Sequence, residues 1–127
     1  TLPYNQATLE SMVDQWWAVI MGTSSDWQGL YWSDAEYVTL NPEEDLVVVE
    51  TPEEHLGAFE QDLEFDYSLL SLSPKAHIPC EESTEAKLFV TELYEGEDFS
   101  SNVFRFRKEG DEWRIYSQTW KIGFDLP

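Results

Sequence analysis

At 127 residues the chain is long enough to form one domain with its own hydrophobic core. Its 26 acidic and seven basic residues give a formal net charge of −19. That charge excludes nucleic-acid binding, which needs clustered Lys and Arg, and it argues against binding to an anionic membrane surface. Because 15% of the residues are aromatic, disorder is not expected, and we predict a single soluble domain over residues 1–127.

The sequence gives little evidence about the compartment. No stretch approaches the roughly 18 apolar residues of a membrane helix, and no signal-peptide pattern is present. The chain begins with Thr1 rather than Met, as a processed product would. Cys80 is the only cysteine, so an intramolecular disulfide is excluded, and a reducing compartment such as the cytoplasm is favoured.

Three helices are predicted in the first half of the chain. Apolar residues recur at three- and four-residue spacing from Ala7 to Met21, which indicates the first helix. The segment Ser25-Asp-Trp-Gln28 has the form of a capping box and predicts a short second helix. Thr51-Pro-Glu-Glu54 supplies an N-cap Thr, a Pro at the first helical position and a capping-box Glu, so a third helix is predicted from there to about Asp62.

Two strands are predicted before the third helix and four after it. Their ranges are 35–40, 46–50, 65–73, 86–95, 102–108 and 112–122. The last two flank Lys108-Glu-Gly-Asp111 and form a β-hairpin. Because the helices come early and the strands late, we predict an α+β fold in which the last four strands form a meander.

This order of elements resembles the nuclear transport factor 2-like, or cystatin-like, cone fold. Its members include ketosteroid isomerases, SnoaL-like cyclases and scytalone dehydratases. The resemblance rests on Ser33-Asp-Ala35 leading to Asn41-Pro42, on Thr51-Pro-Glu-Glu-His-Leu56, and on the hairpin from Phe104 to Ile115. It implies three N-terminal helices packed in a strongly curved, mainly antiparallel sheet, with a deep and mostly apolar pocket at the open end of the cone.

The resemblance also implies which residues line that pocket. Carried onto the matching positions, the lining is Trp16, Asn41, Asn102, Phe104, Ser117 and Thr119, with Phe106, Trp113 and Ile115 deeper; Tyr31 is a further candidate hydroxyl. Strict alternation along the hairpin independently puts Ser117 and Thr119 on the same face as Ile115. Ketosteroid isomerases need an Asp base with Tyr and Asp donors, but the matching residues here are Asn41, Trp16 and Asn102, so that mechanism is not supported.

Other kinds of site have few candidates. His55 and Tyr67 are the candidates for an acid–base group, while His77 is predicted to lie in a loop between strands. The two histidines lie far apart in the sequence, so no metal site is expected, and no cofactor-binding motif is present.

The outer face of the hairpin is the candidate contact surface. It gathers all three arginines, Arg105, Arg107 and Arg114, and strict alternation adds Tyr116 and Trp120. Arg, Tyr and Trp are enriched at interaction hot spots, so we expect a homodimer through this face. Members of the family that this sequence resembles commonly dimerise through this face of the sheet.

Three functions remain open from the sequence. The leading one is non-enzymatic binding of a small hydrophobic or mixed-polarity molecule, because the expected inner polar residues are not ionisable. A carboxylate in the pocket, close to a hydroxyl or a histidine, would contradict it. The alternatives are an isomerase, dehydratase or cyclase, and a protein-interaction module whose interior is filled by side chains. The ligand cannot be named from the sequence.

Overall fold

The structure is a computed structural model that describes residues 4–57, 59–61 and 64–122. Its two α-helices and seven strands are α1 (Gln6–Ile20), β1 (Tyr31–Asn41), β2 (Leu46–Glu50), α2 (Pro52–Leu56), β3 (Leu70–Leu72), β4 (Ala76–Ile78), β5 (Glu85–Tyr94), β6 (Glu97–Glu109) and β7 (Glu112–Ile122). Short 3-10 turns span Gln28–Leu30 and Tyr67–Leu69. The fold is α+β, as predicted.

All seven strands belong to one curved, mixed sheet. The order across it is β2-β1-β7-β6-β5-β3, and β4 pairs with β5 as well. Strands β5, β6 and β7 form an antiparallel meander, while β1 pairs with β7 in parallel. The first strand thereby lies beside the last one, and the C-terminal hairpin occupies the middle of the sheet.

Helix α1 supplies one side of the core. The side chain of Asn5 accepts a hydrogen bond from the amide of Ala7 at 3.0 Å and caps the first turn. The helix buries an apolar stripe at helical spacing, namely Leu9, Met12, Val13, Trp16, Val19 and Ile20. This stripe packs in one core cluster with the inward residues of the sheet, such as Leu88, Phe104 and Ile115. Burial of these side chains is the main source of stability.

The described residues form two α-helices where three were predicted. The capping-box pattern at residues 25–28 produces only the 3-10 turn Gln28–Leu30, whose N-cap makes no side-chain hydrogen bond. The helix that begins after Thr51 has both capping-box hydrogen bonds but ends at Leu56. There the amide of Gly57 closes onto the carbonyl of Glu53 at 2.9 Å. The predicted end of this helix, Asp62, lies outside the described residues.

Two strand predictions also need correction. The first part of the predicted strand 65–73 is the 3-10 turn Tyr67–Leu69, because the side chain of Asp66 caps the amide of Ser68. His77 was placed in a loop but lies in β4, opposite Leu88.

A β-bulge in the final hairpin changes which side chains face inward. Phe106 lies opposite Ile115, but the next residue back on β6, Arg105, lies opposite Ser117, so Tyr116 is the extra residue. Beyond the bulge the alternation of β7 is inverted relative to a regular strand. The predictions that Ser117 and Thr119 face the pocket, and that Trp120 faces outward, are therefore wrong.

Among the described residues, no helix combines the length and the hydrophobicity that crossing a membrane requires.

Candidate functional site

A cavity of about 350 Å³ lies between α1, α2 and the inner face of the sheet. Its lining is dominated by aromatic side chains: Trp16, Ile20, Tyr37, His55, Phe59, Phe65, Tyr67, Leu70, Glu92, Phe99 and Trp120. The volume falls within the range of small-molecule sites. It also argues against the interaction module with a filled interior.

Glu92 is the carboxylate of this cavity. It follows Ala86, Leu88 and Val90 on the buried side of β5, and only 5% of the residue is exposed. Its Oε2 accepts a hydrogen bond from Trp120 Nε1 at 3.1 Å and another from Ser100 Oγ. The strands β6 and β7 therefore fix the orientation of the carboxyl group in the cavity.

The environment of Glu92 favours its protonated form. Burial raises the pKa of the Glu92 carboxyl above its usual value. The side chains of Ser100, Trp120 and Asn102 act in the opposite direction, since they stabilise the charged form, but burial outweighs them. A buried carboxyl group with a raised pKa is typical of acid–base sites, because the shift brings its pKa closer to the pH at which it must exchange protons.

His55 brings a second ionisable side chain to the same cavity, where it pairs with Glu50. His55 Nδ1 is 3.1 Å from Glu50 Oε1, and the imidazole ring stacks on Tyr37 with 3.9 Å between ring centroids and 15° between planes. When Nδ1 carries the hydrogen and donates a hydrogen bond to Glu50, the other ring nitrogen, Nε2, is left for a ligand. The contact with Glu50 and the stacking on Tyr37 thus hold the imidazole in one orientation.

Trp16 brings a buried hydrogen-bond donor to the cavity. The residue is 1% exposed and lines the cavity, where its ring meets Phe104 edge-on at 5.1 Å. Burial raises the pKa of the neighbouring Tyr37 hydroxyl, and the Trp16 side chain acts in the opposite direction, so the indole N–H lies near that hydroxyl. Nε1 nevertheless makes no well-formed hydrogen bond among the described residues. An acceptor atom on a bound molecule would therefore be favoured here.

A buried polar chain runs across the inner face of the sheet. The hydroxyl of Tyr31 donates to Gln118 Oε1, and Gln118 Nε2 donates to Asn102 Oδ1 at 3.2 Å. Gln118 Nε2 also reaches the Tyr37 hydroxyl at 3.4 Å. Burial raises the pKa of the Tyr37 hydroxyl, which therefore stays protonated at neutral pH. The chain joins β1, β7 and β6.

The residues predicted to line the pocket have different positions. Trp16, His55 and Tyr67 do line the cavity. Tyr31, Asn102 and Phe104 are buried in the core and are not among its lining residues. Asn41 lies at the end of β1, where its Oδ1 accepts a hydrogen bond from the amide of Glu44 at 3.4 Å, so it stabilises a turn instead.

Two of the three outer arginines are paired within the chain. Arg107 contacts Asp34 at 2.9 Å and Glu109 at 2.8 Å, and Arg114 contacts Glu112. Both guanidinium groups lie over the Trp32 ring, and Arg107 also lies over Tyr116. The predicted homodimer stays a prediction. Trp120 does not belong to the outer face, because its side chain lines the cavity.

The remaining candidates have structural contacts. The ring of His77 links Tyr4 and Glu10, with Nδ1 and Nε2 each at 3.0 Å from its partner oxygen. Within the part of the chain that the structure describes, no cluster of three or more His, Cys, Asp or Glu residues could hold a metal ion.

Sequence reasoning missed Glu92 and Trp120, for different reasons. Glu92 is in phase with three apolar residues of its strand, and this signal was present in the sequence. The inward position of Trp120 depends on the bulge at Tyr116, and no residue type in the hairpin sequence predicts that bulge.

The fold agrees with several solved structures. The chain aligns with a nuclear transport factor 2-like protein of Shewanella baltica at a TM-score of 0.65 and 9% identity, over 92% of this chain and 95% of that one. A cystatin-like fold protein of Burkholderia xenovorans gives 0.62 and 11%, over 95% and 92%. A Novosphingobium aromaticivorans protein provisionally named a scytalone dehydratase gives 0.56 and 16%, over 90% and 80%.

These similarities establish the fold: the chain has the nuclear transport factor 2-like, cystatin-like fold, as its order of elements predicted. No family model matches the sequence, and no curated protein matches it either.

Proposed function

We propose that this chain binds a small, largely apolar molecule in the cavity and catalyses a proton transfer on it, with Glu92 as the acid–base group. The observation that carries the proposal is a carboxyl group that is 5% exposed, has a raised pKa and lines an aromatic cavity. Burying a carboxyl group in apolar surroundings costs free energy. Buried carboxyl groups with shifted pKa values are concentrated at functional sites.

The cavity offers the other parts of an acid–base site. Trp16 Nε1 makes no well-formed hydrogen bond among the described residues and is available to an oxygen of the substrate. The pair of Glu50 and His55 supplies a second ionisable group. The aromatic walls would hold a flat ring system. Isomerases and dehydratases use such acid–base groups. One structural neighbour is provisionally named a scytalone dehydratase.

The test uses 2-tetralone, a bicyclic ketone whose α protons exchange with solvent when a base removes them. NMR in D₂O would follow this exchange with the native protein, with Glu92→Gln and with the exposed control Glu97→Gln. We expect exchange with the native protein and with Glu97→Gln, and a loss of about 100-fold or more with Glu92→Gln. Chemical-shift titration would confirm that all three proteins bind the ketone. Equal exchange rates for native protein and Glu92→Gln would contradict the role of Glu92.

Binding without turnover is the second candidate, and the predominance of aromatic side chains in the lining favours it. In that case the three proteins bind the ketone, and none of them accelerates its exchange.

A further inference from the structure

Strand β2 is an edge of the sheet without the usual protection. Among the described strands it pairs only with β1, through the register from Tyr37 opposite Glu50 to Asn41 opposite Leu46. An edge strand presents backbone N–H and C=O groups to any extended chain, and proteins commonly guard such edges with Lys or Pro. The sequence of β2, Leu46-Val-Val-Val-Glu50, contains neither.

The side chains of β2 are unusually exposed for their type. The exposed fraction is 45% for Leu46, 63% for Val47 and 59% for Val49. Val47 lies opposite Leu40 and Val49 opposite Val38, on the outer face of the sheet and away from the cavity. An added strand would extend this apolar row through cross-strand contacts.

Negative charge lies at both ends of β2. The exposed residues Glu43, Glu44 and Asp45 precede it, and the exposed residues Glu53 and Glu54 follow it. No Lys or Arg occurs before Lys75, so the sequence around the strand carries no compensating basic residue. A strand that docks on β2 therefore meets an apolar middle between two acidic ends.

We propose that β2 receives an extended segment of a partner protein, with apolar residues at alternate positions and Lys or Arg at both ends. Backbone hydrogen bonds to the free edge would provide affinity, as in other cases of strand addition, and the acidic ends would select the sequence. A second copy of this chain does not fit. Two β2 strands related by a two-fold axis would bring acidic ends against acidic ends, which is repulsive. The surface is separate from the cavity, so the proposal does not depend on the proposed function.

The probe is the synthetic peptide Lys-Lys-Val-Thr-Val-Thr-Val-Lys-Lys, with a control peptide in which Glu replaces every Lys. Fluorescence anisotropy at low salt would measure the affinity of both, and amide hydrogen exchange would locate the contact. We expect the Lys peptide to bind at least tenfold more tightly and to protect amides of β2. The affinity should fall as salt rises, because salt screens the acidic ends.

Three variants complete the test. Val47→Lys combined with Val49→Lys should abolish binding, whereas Leu69→Lys, at another exposed apolar residue, should not affect it. Combining Glu43→Lys, Glu44→Lys and Asp45→Lys should weaken the preference for the Lys peptide, because only the acidic end formed by Glu53 and Glu54 remains. The proposal is overturned if the native protein binds neither peptide or both equally. Protection outside β2, or self-association of the native protein through β2, would also overturn it.

Discussion

Glu92 shows at the scale of a single residue how a small protein can hold a carboxyl group inside an apolar core. Its strand alternates between buried and half-buried positions, and Glu92 takes a buried one. Hydrogen bonds from Ser100 and Trp120 offset part of the cost of burial. The part of the cost that is not offset raises the pKa of Glu92. The protonation of this group is therefore linked to the stability of the fold.

Replacing Glu92 by Gln should stabilise the protein at neutral pH. Because the folded-state pKa of Glu92 is raised above the unfolded value, its contribution to stability is fully present below the unfolded pKa and is lost as the pH rises through the folded pKa. Gln keeps a neutral side chain of similar shape at every pH. We expect Glu92→Gln to be more stable than the native protein by about 1 kcal/mol at pH 7.

Urea unfolding of both proteins between pH 4 and pH 8 checks this prediction. The stability difference between them should grow as the pH rises and then level off. A difference that is independent of pH, or that grows as the pH falls, would mean that the folded state prefers charged Glu92.

At the scale of elements, the final hairpin separates what the sequence can predict from what it cannot. The hairpin and its turn follow from alternation and from Gly110, whose φ of 61° suits a residue without a side chain. Local patterns also predicted the start of α2, because both capping-box hydrogen bonds involve neighbours in the sequence. The bulge at Tyr116 was not predictable, since it depends on how distant segments pack. The early end of α2 has a local signal in Gly57, whose amide donates a hydrogen bond to the carbonyl of Glu53.

The bulge yields a prediction about two neighbouring residues. Gln118 is 0% exposed and joins Tyr31 to Asn102, whereas Thr119 lies on the opposite face. Gln118→Leu should lower the free energy of unfolding by about 1–3 kcal/mol, because it leaves the buried Tyr31 hydroxyl without its acceptor. The matched control Thr119→Val should change stability by less than about 0.5 kcal/mol. Chemical denaturation measures both, and the reverse order of effects would show that β7 has no bulge.

At the scale of the whole molecule, a net charge of −19 opposes self-association unless a suitable surface compensates. The outer face of the hairpin is our proposal for that surface, and Arg105 is its exposed arginine without an ion pair among the described residues. We therefore expect the homodimer to depend on Arg105. Arg105→Glu should convert a dimer to a monomer in analytical ultracentrifugation, whereas Lys108→Glu, near the turn, should not. A dimer that persists in Arg105→Glu would exclude this use of the face.

The central claim is that Glu92 is a buried acid–base group in the cavity, and its own titration tests that claim most directly. Carboxyl ¹³C chemical shifts of labelled glutamate, with Glu92 assigned by comparison with Glu92→Gln, would give its pKa alongside those of the exposed glutamates. The account predicts that Glu92 titrates at a higher pH than is usual for a glutamate carboxyl. A Glu92 that titrates in the usual range, or below it, would contradict the account.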